Sequence, residues 1–556
     1  MSEKTFYQDI EQILRKKKLS KIDLSKLKVK LCTKHKVINI PTDIQILLNI
    51  SDASKLKTKL RTKPGRTGSG VAVIAIMTKP IECPHGKCAY CPGGVKSVFG
   101  TVPQSYTGSE PATLRGIRNK YDPYLQVMNR LEQYIVMEHF PEKVELIIMG
   151  GTFASFPKRY REEFVLYALK AMNDFSRMFY SDGRLNIQKF KEFFEMPGDL
   201  HDPRRVERIH RRLLKLKGKS SLLKEQKKNE TSQVRCVGLT IETRPDYALL
   251  KHANDMLRLG ATRVEVGVQS VYDEPLLLVE RGHDVSTTVA SLQILKDLGF
   301  KINAHYMPGL PGIDMKKDLE GMKKMFSDSS FRPDMMKIYP CMVVRGTKLY
   351  EKWKKGEYNP LSTSDAAKLI ASFKKYVPPY CRIMRVQRDI PSYQIDAGVK
   401  RTNLRQYIGR IMEKKGIKCR CIRCREPKEA GKRKGRKKIR IIEYDASLGK
   451  EFFISIEDKN NVYGFCRLRF PSTGLRKEIT RNSALIRELH VYGSALQVGR
   501  IKSKKEDIQH TGLGKQLLDR AEKICLDNKK NKMIVISGIG AREYYRKLGY
   551  KLEGPY

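Results

Sequence analysis

The chain has 556 residues, and its 109 lysines and arginines outnumber 60 aspartates and glutamates, which gives a formal net charge of +49. This length is enough for two to four domains. The sequence contains no uninterrupted apolar run of about 18 residues, which argues against a membrane span, and its first residues lack the apolar stretch of a secretory signal. Its 12 cysteines are unevenly grouped. We therefore expect a cytoplasmic protein with metal sites rather than disulfides.

The basic residues are concentrated in four stretches. A lysine-rich overall composition explains part of the excess, but grouped cations attract polyanions and neutralise several phosphates at once. Nucleic acid is therefore favoured as the partner over an acidic membrane surface, because no long segment pairs a basic face with a wide apolar one. The stretches are 15–18, 55–63, 204–228 and 428–440.

Residues 1–64 are predicted to form a basic, mainly helical region that binds tRNA. Helical spacing of apolar residues covers 11–19 and 44–60, and a stretch rich in proline and glycine at 63–70 marks the end of the region.

Residues 65–390 are predicted to be an α/β domain, because short apolar runs alternate there with longer helical patterns. This alternation is typical of a parallel sheet covered by helices, and its repetition suits a full or partial (β/α) barrel of the TIM type. Residues 180–233 interrupt the pattern and are rich in Lys and Arg, so we expect a surface insertion that contacts nucleic acid or is only solvated helix. The predicted strands are 71–77, 144–149, 237–241, 263–268, 301–306, 335–339 and 382–386.

Cys83, Cys88 and Cys91 follow directly after the first predicted strand. Three thiolates can hold three irons of a [4Fe-4S] cluster and leave the fourth iron open to a substrate or cofactor. The loop resembles that of radical SAM enzymes, in which S-adenosylmethionine (SAM) binds the open iron, although four residues rather than the usual three separate Cys83 from Cys88. A zinc knuckle is the alternative, but closed zinc sites take four ligands and only His85 is close by.

Further candidate residues follow later strands, at the carboxyl ends where the functional loops of barrels lie. Gly150 and Gly151 form either a plain tight turn or a close backbone approach to the SAM ammonium. Their position on the same sheet face as the cysteine loop favours the ligand. Glu242 either accepts a bond from a ribose hydroxyl or pairs with Arg244.

A second group, Cys419, Cys421 and Cys424, falls in the predicted linker at 391–438. Thiolates at this spacing can wrap one tetrahedral zinc if a fourth ligand arrives from elsewhere, and Cys341 could supply it. Structural zinc is favoured over free thiols, and a second iron–sulfur cluster has less support.

Residues 439–556 change to a pattern of antiparallel strands, predicted at 438–444, 451–457, 462–470 and 484–491, with a further strand at 533–537. Between them a glycine-rich turn, Gln509 to Gly514, opens a helix whose free N–H groups can seat a pyrophosphate. With the tyrosines near 545, this resembles the acetyl-CoA site of GNAT-type acyltransferases in a mixed α+β domain. Tyr545 either contacts CoA or packs in the core.

The two halves together resemble the catalytic third subunit of the Elongator complex, a tRNA-modifying enzyme, from about residue 64 to residue 556. Many members of that family have more residues between their first two cysteines than this chain has. The resemblance is carried by 104–108, 110–111, 149–153, 240–247, 337–340, 345–347, 487–493 and 553–556.

The resemblance implies carboxymethylation at C5 of the wobble uridine in the anticodon stem-loop of tRNA. Cleavage of SAM would give a 5′-deoxyadenosyl radical, the acetyl group of acetyl-CoA would become a carbon radical that adds to uracil, and thioester hydrolysis would give 5-carboxymethyluridine. In this scheme the cofactors carry out the difficult bond-breaking and bond-forming steps, and the protein positions the cofactors. An electron donor is implied as a partner, and self-association is a further expectation.

By position, the resemblance assigns the cluster to Cys83, Cys88 and Cys91. It names Lys143 and Tyr545 as catalytic candidates. The implied acetyl-CoA contacts are Lys143, Glu488, Leu489, His490, Val491, Leu513, Gly514, Lys515 and Tyr545.

Two other functions are consistent with parts of the sequence. The C-terminal domain alone suits a protein lysine acetyltransferase whose cluster is structural. The net charge of +49 alone suits a non-catalytic scaffold that binds tRNA.

Overall fold

The computed structural model describes residues 2–50, 56, 60, 70–198, 202–427, 436–492 and 512–556. Across these ranges, no helix is both long and apolar enough to cross a membrane.

Three helices at the amino terminus pack around a small core of their own, which includes Phe6, Ile10 and Leu14. The predicted helix over 11–19 begins earlier, and the helix over 21–35 was not predicted, because its lysines and apolar residues partly alternate as in a strand. The predicted helix over 44–60 is observed as far as Asn49, and most of its remainder lies outside the described residues. The helices are α1 (Ser2–Lys16), α2 (Lys21–His35) and α3 (Asp43–Asn49).

Seven parallel strands form the main sheet and confirm the predicted α/β half-barrel. They are arranged in chain order apart from one short hairpin, β3 (Tyr180–Ser181) with β4 (Arg184–Leu185), which pairs separately. No pairing between the first and last strands closes the barrel in the described part of the chain. The sheet consists of β1 (Ala72–Met77), β2 (Lys143–Met149), β5 (Arg235–Thr243), β6 (Arg263–Gln269), β7 (Lys301–Tyr306), β8 (Met335–Ile338) and β9 (Arg382–Arg385).

Helices connect the strands, and many begin at a side-chain cap. Asp122 accepts from the N–H of Tyr124, with Pro123 in the first turn, and Asp284 and Asp314 cap two later helices. The helices are α4 (Pro111–Arg118), α5 (Pro123–Val136), α6 (Lys158–Phe179), α10 (Leu250–Leu259), α11 (Asp273–Leu278), α12 (Val285–Asp297), α13 (Met315–Ser327), α14 (Lys348–Lys354), α15 (Thr363–Lys374), α16 (Leu404–Lys414) and α17 (Ile422–Arg425).

The insertion at 180–233 is more deeply packed than its composition suggested. Phe194, Ile209 and Leu213 join the main hydrophobic core because they lie on the inner side of the insertion, whereas Leu214, Leu216 and Leu223 stay exposed. The opposite face of α8 stays basic and exposed. The insertion contains α7 (Ile187–Phe193), α8 (Pro203–Lys217) and α9 (Leu222–Asn229).

The C-terminal domain is a five-stranded mixed sheet with its own core. The first four strands are antiparallel and the fifth is parallel to the fourth, as a mixed α+β domain requires. The elements are β10 (Lys438–Ala446), β11 (Gly449–Glu457), β12 (Val462–Phe470), β13 (Ser483–Val491), α18 (Leu513–Asp527), β14 (Lys532–Val535) and α19 (Arg542–Arg546).

This domain packs against the amino ends of the barrel strands. Arg487 on β13 donates to Asp334, immediately before β8, at 2.8 and 2.5 Å, and Arg469 pairs with Asp297 at the end of α12 at 2.6 Å. All four side chains are fully buried. The cysteine loop, in contrast, follows the carboxyl end of β1.

Candidate functional sites

The loop after β1 carries three cysteines to the carboxyl edge of the sheet. Gln104 holds this loop, since its Oε1 accepts from the N–H of Cys83 at 2.7 Å and its Nε2 donates to the carbonyl of Gly86 at 3.3 Å. The sulfurs of Cys83, Cys88 and Cys91 do not all lie within 4.8 Å of one another. The ligands of one tetrahedral zinc lie closer together than this, whereas in a cluster each cysteine binds a different iron.

Two of the sulfurs have hydrogen-bond partners in neighbouring loops. Thr152 Oγ1 lies 3.3 Å from Cys83 Sγ, and the N–H of Ser105 donates to Cys91 Sγ at 3.1 Å. Burial, followed by the nearby Cys88, raises the pKa of the Cys91 thiol to about 11. A bound metal would replace the proton and remove this penalty.

Gly150 and Gly151 both require left-handed backbone, with φ of 118° and 74°. A Cβ on Gly150 would lie 2.3 Å from Thr78 Oγ1, and a Cβ on Gly151 would lie 3.9 Å from Cys83 Sγ. The glycine turn therefore lies directly beside the cysteine loop, as the sequence predicted for residues that approach a ligand closely.

Glu242 also lies at this edge, but Arg244 is not its partner. Tyr106 donates to Glu242 at 3.1 Å, and Lys337 Nζ lies 3.4 Å from it. Arg244 pairs instead with Asp246 at 2.9 Å. The ion pair considered from sequence is therefore wrong, and Glu242 retains lone pairs for a further donor.

A polar group inside the barrel was missed by the sequence analysis. Glu265 accepts from His305 at 2.9 Å and also pairs with Lys337. Burial works to raise the pKa of Glu265, but Lys337 and His305 hold it well below its usual range. These side chains and Glu242 lie on neighbouring strands, β5 to β8. The available signal in the sequence was the presence of polar residues at every second position of otherwise apolar strands. Lys337 lies beside both carboxylates, and Arg263 Nη2 lies 3.6 Å from Glu265, so the group already has cations of its own.

Lys143 lies at the opposite edge, where β2 begins. Its strand partner is Arg235, and a Cβ on Gly540, next to α19, would lie 2.5 Å from Arg235 Cβ. Burial, assisted by Arg235, lowers the pKa of Lys143. Lys143 therefore lies beside the C-terminal domain, on the same side as the other predicted acetyl-CoA residues.

The predicted residues Glu488–Val491 form the end of β13. The pairing of β13 with β14 stops at Ile486. The side chain of Glu488 is buried and contacts Arg467 at 2.9 Å and Lys301 at 3.7 Å, so it is occupied within the protein. His490 Nε2 is buried without a hydrogen-bond partner among the described residues.

The helix α18 begins at Leu513, directly after Gly512 with φ of 75°. No side chain caps this end among the described residues, and Leu513 is buried in the domain core. A Cβ on Gly514 would lie 2.9 Å from Tyr544 Oη. The predicted turn from Gln509 to residue 511 lies outside the described residues.

Tyr545 is partly buried against the core of the C-terminal domain. Its ring meets those of Tyr544 and Tyr550 edge to face, and burial raises its pKa. It lines a cavity beside β14 and the last residues of the chain. Tyr544, which the sequence analysis missed, is the tyrosine whose hydroxyl lies beside Gly514.

The second cysteine group does converge. The sulfurs of Cys419, Cys421 and Cys424 lie within 4.8 Å of one another, and hydrogen bonds from the other two thiols lower the pKa of Cys421. Three convergent sulfurs are the donor set that zinc prefers.

Cys341 is not brought to this group. Its sulfur belongs instead to a buried cluster that includes Cys88, Cys91 and Tyr358, because β8 ends at the same edge of the sheet as β1. The prediction of Cys341 as the fourth zinc ligand is therefore not supported, and no fourth Cys, His, Asp or Glu joins the group within the described ranges.

Four segments match known domain families. Residues 81–324 match the Radical SAM superfamily, 333–414 the Radical SAM C-terminal domain, 5–68 the ELP3 N-terminal domain and 505–555 the acetyltransferase (GNAT) domain. Fold and sites together define a radical SAM enzyme joined to a GNAT-type domain. The first fold implies SAM and a [4Fe-4S] cluster, and the second implies acetyl-CoA.

Full-length relatives identify the family. A tRNA uridine(34) acetyltransferase of Methanocaldococcus jannaschii is 45% identical over 98% of this chain and 96% of its own length. Elongator complex protein 3 of Homo sapiens is 40% identical over 96% and 92%. The solved structure of Methanocaldococcus infernus Elp3 with an N-terminal deletion has a TM-score of 0.69 and 40% identity, covering 88% of this chain and 98% of that one. The chain belongs to the Elongator complex protein 3 family, as the sequence motifs predicted.

Proposed function

We propose that this chain is a tRNA uridine(34)-modifying enzyme that uses SAM and acetyl-CoA to form 5-carboxymethyluridine at the wobble position. The observation that carries the proposal is that the seven-stranded sheet has the cysteine loop at its carboxyl edge and the GNAT-type domain packed at its amino edge. Relatives that match nearly the whole chain are named tRNA uridine(34) acetyltransferase.

Cys83, Cys88 and Cys91 would hold the cluster, which with SAM supplies one-electron cleavage of a sulfonium bond. The chain prepares this site with donors to the sulfurs and with a loop held by Gln104. Gly151 lies beside Cys83, where an added Cβ would come within 3.9 Å of Cys83 Sγ, and the missing side chain of Gly150 makes room for Thr78. Reduction requires an external one-electron donor.

The acetyl-CoA site would be formed by the uncapped start of α18, the free end of β13 and Lys143. Helix N–H groups suit the pyrophosphate. The Nε2 of His490, which has no hydrogen-bond partner among the described residues, is a polar atom suited to a ligand contact. Tyr545 keeps its proposed role as a CoA contact, and Tyr544 is a second candidate because of its position at Gly514.

The basic surface would hold the tRNA. The solvent face of α8 carries exposed cations in successive turns, a pattern that suits phosphate contacts. Access to one base requires its unstacking from the anticodon loop. The exposed cations are Arg204, Arg208, Arg211, Arg212 and Lys215.

We further propose that Cys419, Cys421 and Cys424 bind a structural zinc, with the fourth ligand from outside the described set. Their mutual distances support a single ion rather than a cluster.

The test is product analysis with the anaerobically reconstituted full-length protein, a one-electron reductant, SAM, acetyl-CoA and a tRNA with an unmodified wobble uridine. Mass spectrometry of the digested tRNA should show 5-carboxymethyluridine that depends on both cofactors. Acetylated peptide lysines without tRNA dependence would favour the lysine acetyltransferase. A loaded cluster and bound tRNA with no consumption of either cofactor would favour the scaffold.

A further inference from the structure

A buried guanidinium next to the cysteine loop has no carboxylate partner in the described part of the chain. Arg281 is 8% exposed. Its Nη1 donates to Cys88 Sγ at 3.5 Å, its Nη2 to the carbonyl of Gly267 at 3.0 Å, and its Nε to His283 Nε2 at 3.2 Å. Among the residues that the structure describes, no aspartate or glutamate lies within ion-pair distance of it.

Arg244 is a second buried guanidinium in the same region, and it provides the contrast. It forms two 2.9 Å bonds with Asp246, so it carries its own counter-ion. Burying a cation without such a partner costs several kcal/mol. The positive charge of Arg281 is therefore balanced only when another anion lies beside it.

The backbone around Arg281 is shaped to hold this cation in place. A Cβ on Gly267, in the middle of β6, would lie 2.4 Å from Arg281 Nη2, so only glycine leaves room for it. His283 Nδ1 faces the carbonyl of Asp284 at 3.2 Å, which leaves Nε2 as the acceptor for Arg281. Burial, with the charge of Arg281, lowers the pKa of His283 to about 4, so the imidazole is neutral at neutral pH.

The sulfur of Cys88, which would be a thiolate as a cluster ligand, is the atom that Arg281 Nη1 contacts. His85 Nε2 lies 3.1 Å from the same sulfur, so Cys88 has two nitrogen neighbours. All three nitrogens of Arg281 contact atoms of the chain, and Nη1 is the one aimed at the sulfur.

We propose that Arg281 is a positioning residue that sets the reduction potential of the cluster, acting through the thiolate of Cys88. This rests on the proposed function only in requiring a cluster on the three cysteines. Reduction adds one electron from a low-potential carrier and makes the cluster more negative. A fixed positive charge and an N–H donor on one ligand sulfur stabilise that reduced form, so they raise the potential.

The test compares Arg281→Met and Arg281→Lys with the unchanged protein, all full length and reconstituted anaerobically with iron and sulfide. The midpoint potential is measured without SAM, by redox titration followed by electron paramagnetic resonance. In Arg281→Met the reduction equilibrium should shift at least tenfold towards the oxidised cluster, which is about 59 mV for one electron. Arg281→Lys should show a smaller shift than Arg281→Met, because lysine keeps the positive charge but lacks the planar set of donors.

Controls separate this electrostatic role from simple loss of a buried cation. Arg205→Met removes another buried guanidinium, paired with Glu132 on α5 at 2.7 Å, and should leave the potential unchanged. His283→Gln keeps an acceptor for Arg281 and should shift the potential less than His283→Leu. These two variants retain Arg281 and serve as the test if Arg281→Met fails to hold iron.

A carboxylate of SAM is the other anion of the right chemistry, so SAM affinity is measured by calorimetry in parallel. A tenfold loss of SAM affinity with an unchanged potential would overturn the proposal and assign Arg281 to the SAM carboxylate. An unchanged potential and unchanged affinity would overturn it as well. Failure of every variant and of the unchanged protein to bind iron would contradict the proposed function itself.

Discussion

The two edges of the seven-stranded sheet carry buried charges of different kinds. At the amino edge Arg487, Arg469, Asp334 and Asp297 are fully buried and pair with one another across the domain junction. At the carboxyl edge Arg281 Nη1 donates to Cys88 Sγ, and no carboxylate of the described residues lies within ion-pair distance of this arginine. The paired charges at the amino edge join two domains, whereas the charge of Arg281 at the carboxyl edge indicates where a cofactor belongs.

The strongest test of this contrast removes a sulfur from the carboxyl edge. Cys88→Ala should reduce cluster iron and SAM cleavage to background, because one iron loses its ligand, while tRNA binding persists. Iron analysis and deoxyadenosine quantification check it. Cys341→Ala is the matched control, since Cys341 packs beside the same loop and should retain both. Equal iron loss in the two variants would contradict the assignment.

A second test breaks the amino edge. Asp334→Ala leaves Arg487 and Arg467 without their shared carboxylate and should lower the free energy of unfolding by about 3–5 kcal/mol. Denaturant titration measures this change. The exposed pair of Arg159 and Glu163 is the control, and Glu163→Ala should cost no more than about 0.5 kcal/mol. Similar losses in both would contradict the role of the buried network.

The same carboxylate predicts a pH dependence. Burial alone would raise the pKa of Asp334, but Arg487 and Arg467 hold it well below its usual range. Its contribution to stability is therefore fully present above the unfolded pKa of about 3.9 and is lost as the pH falls towards the folded pKa. The stability difference between the unchanged protein and Asp334→Ala should shrink below about pH 4. A constant difference down to pH 2 would contradict this.

A smaller effect is expected at the start of α18. Gly514→Glu places a Cβ 2.9 Å from Tyr544 Oη and a negative charge where the pyrophosphate is proposed. The acetyl-CoA dissociation constant should rise at least tenfold, or about 1.4 kcal/mol, in calorimetric titrations. The double variant Gly514→Glu with Tyr544→Ala relieves the contact but not the charge, so it should remain weak. Normal affinity in both would remove the pyrophosphate assignment.

The smallest effect is expected for Lys143, which is only partly buried. Lys143→Ala should weaken acetyl-CoA binding by about three- to tenfold, or roughly 0.7–1.4 kcal/mol, and leave SAM cleavage without acetyl-CoA unchanged. Lys158→Ala, at an exposed lysine of the same domain, should change neither quantity. A loss of SAM cleavage in Lys143→Ala would show that a residue at the amino edge also affects the proposed SAM site at the carboxyl edge.

The sequence by itself determined the local features of this protein. Short, mainly apolar runs predicted all seven barrel strands, because the strands of a parallel sheet covered by helices are mostly buried. The spacing of Cys83, Cys88 and Cys91 predicted the cluster loop, because ligands close in sequence stay close in space. The family motifs predicted the pairing of a radical SAM barrel with a GNAT-type domain.

Tertiary structure alone decided the partners of residues that are distant in sequence. Cys341 lies beside Cys88 rather than Cys419, Glu242 pairs with Lys337 rather than Arg244, and Arg281 reaches a cysteine 193 positions away. Sequence patterns indicate which face of a helix or strand is buried, but they do not indicate which residues pack against that face. The packing of strands and domains determines that contact, and with it the charge balance at each edge of the sheet.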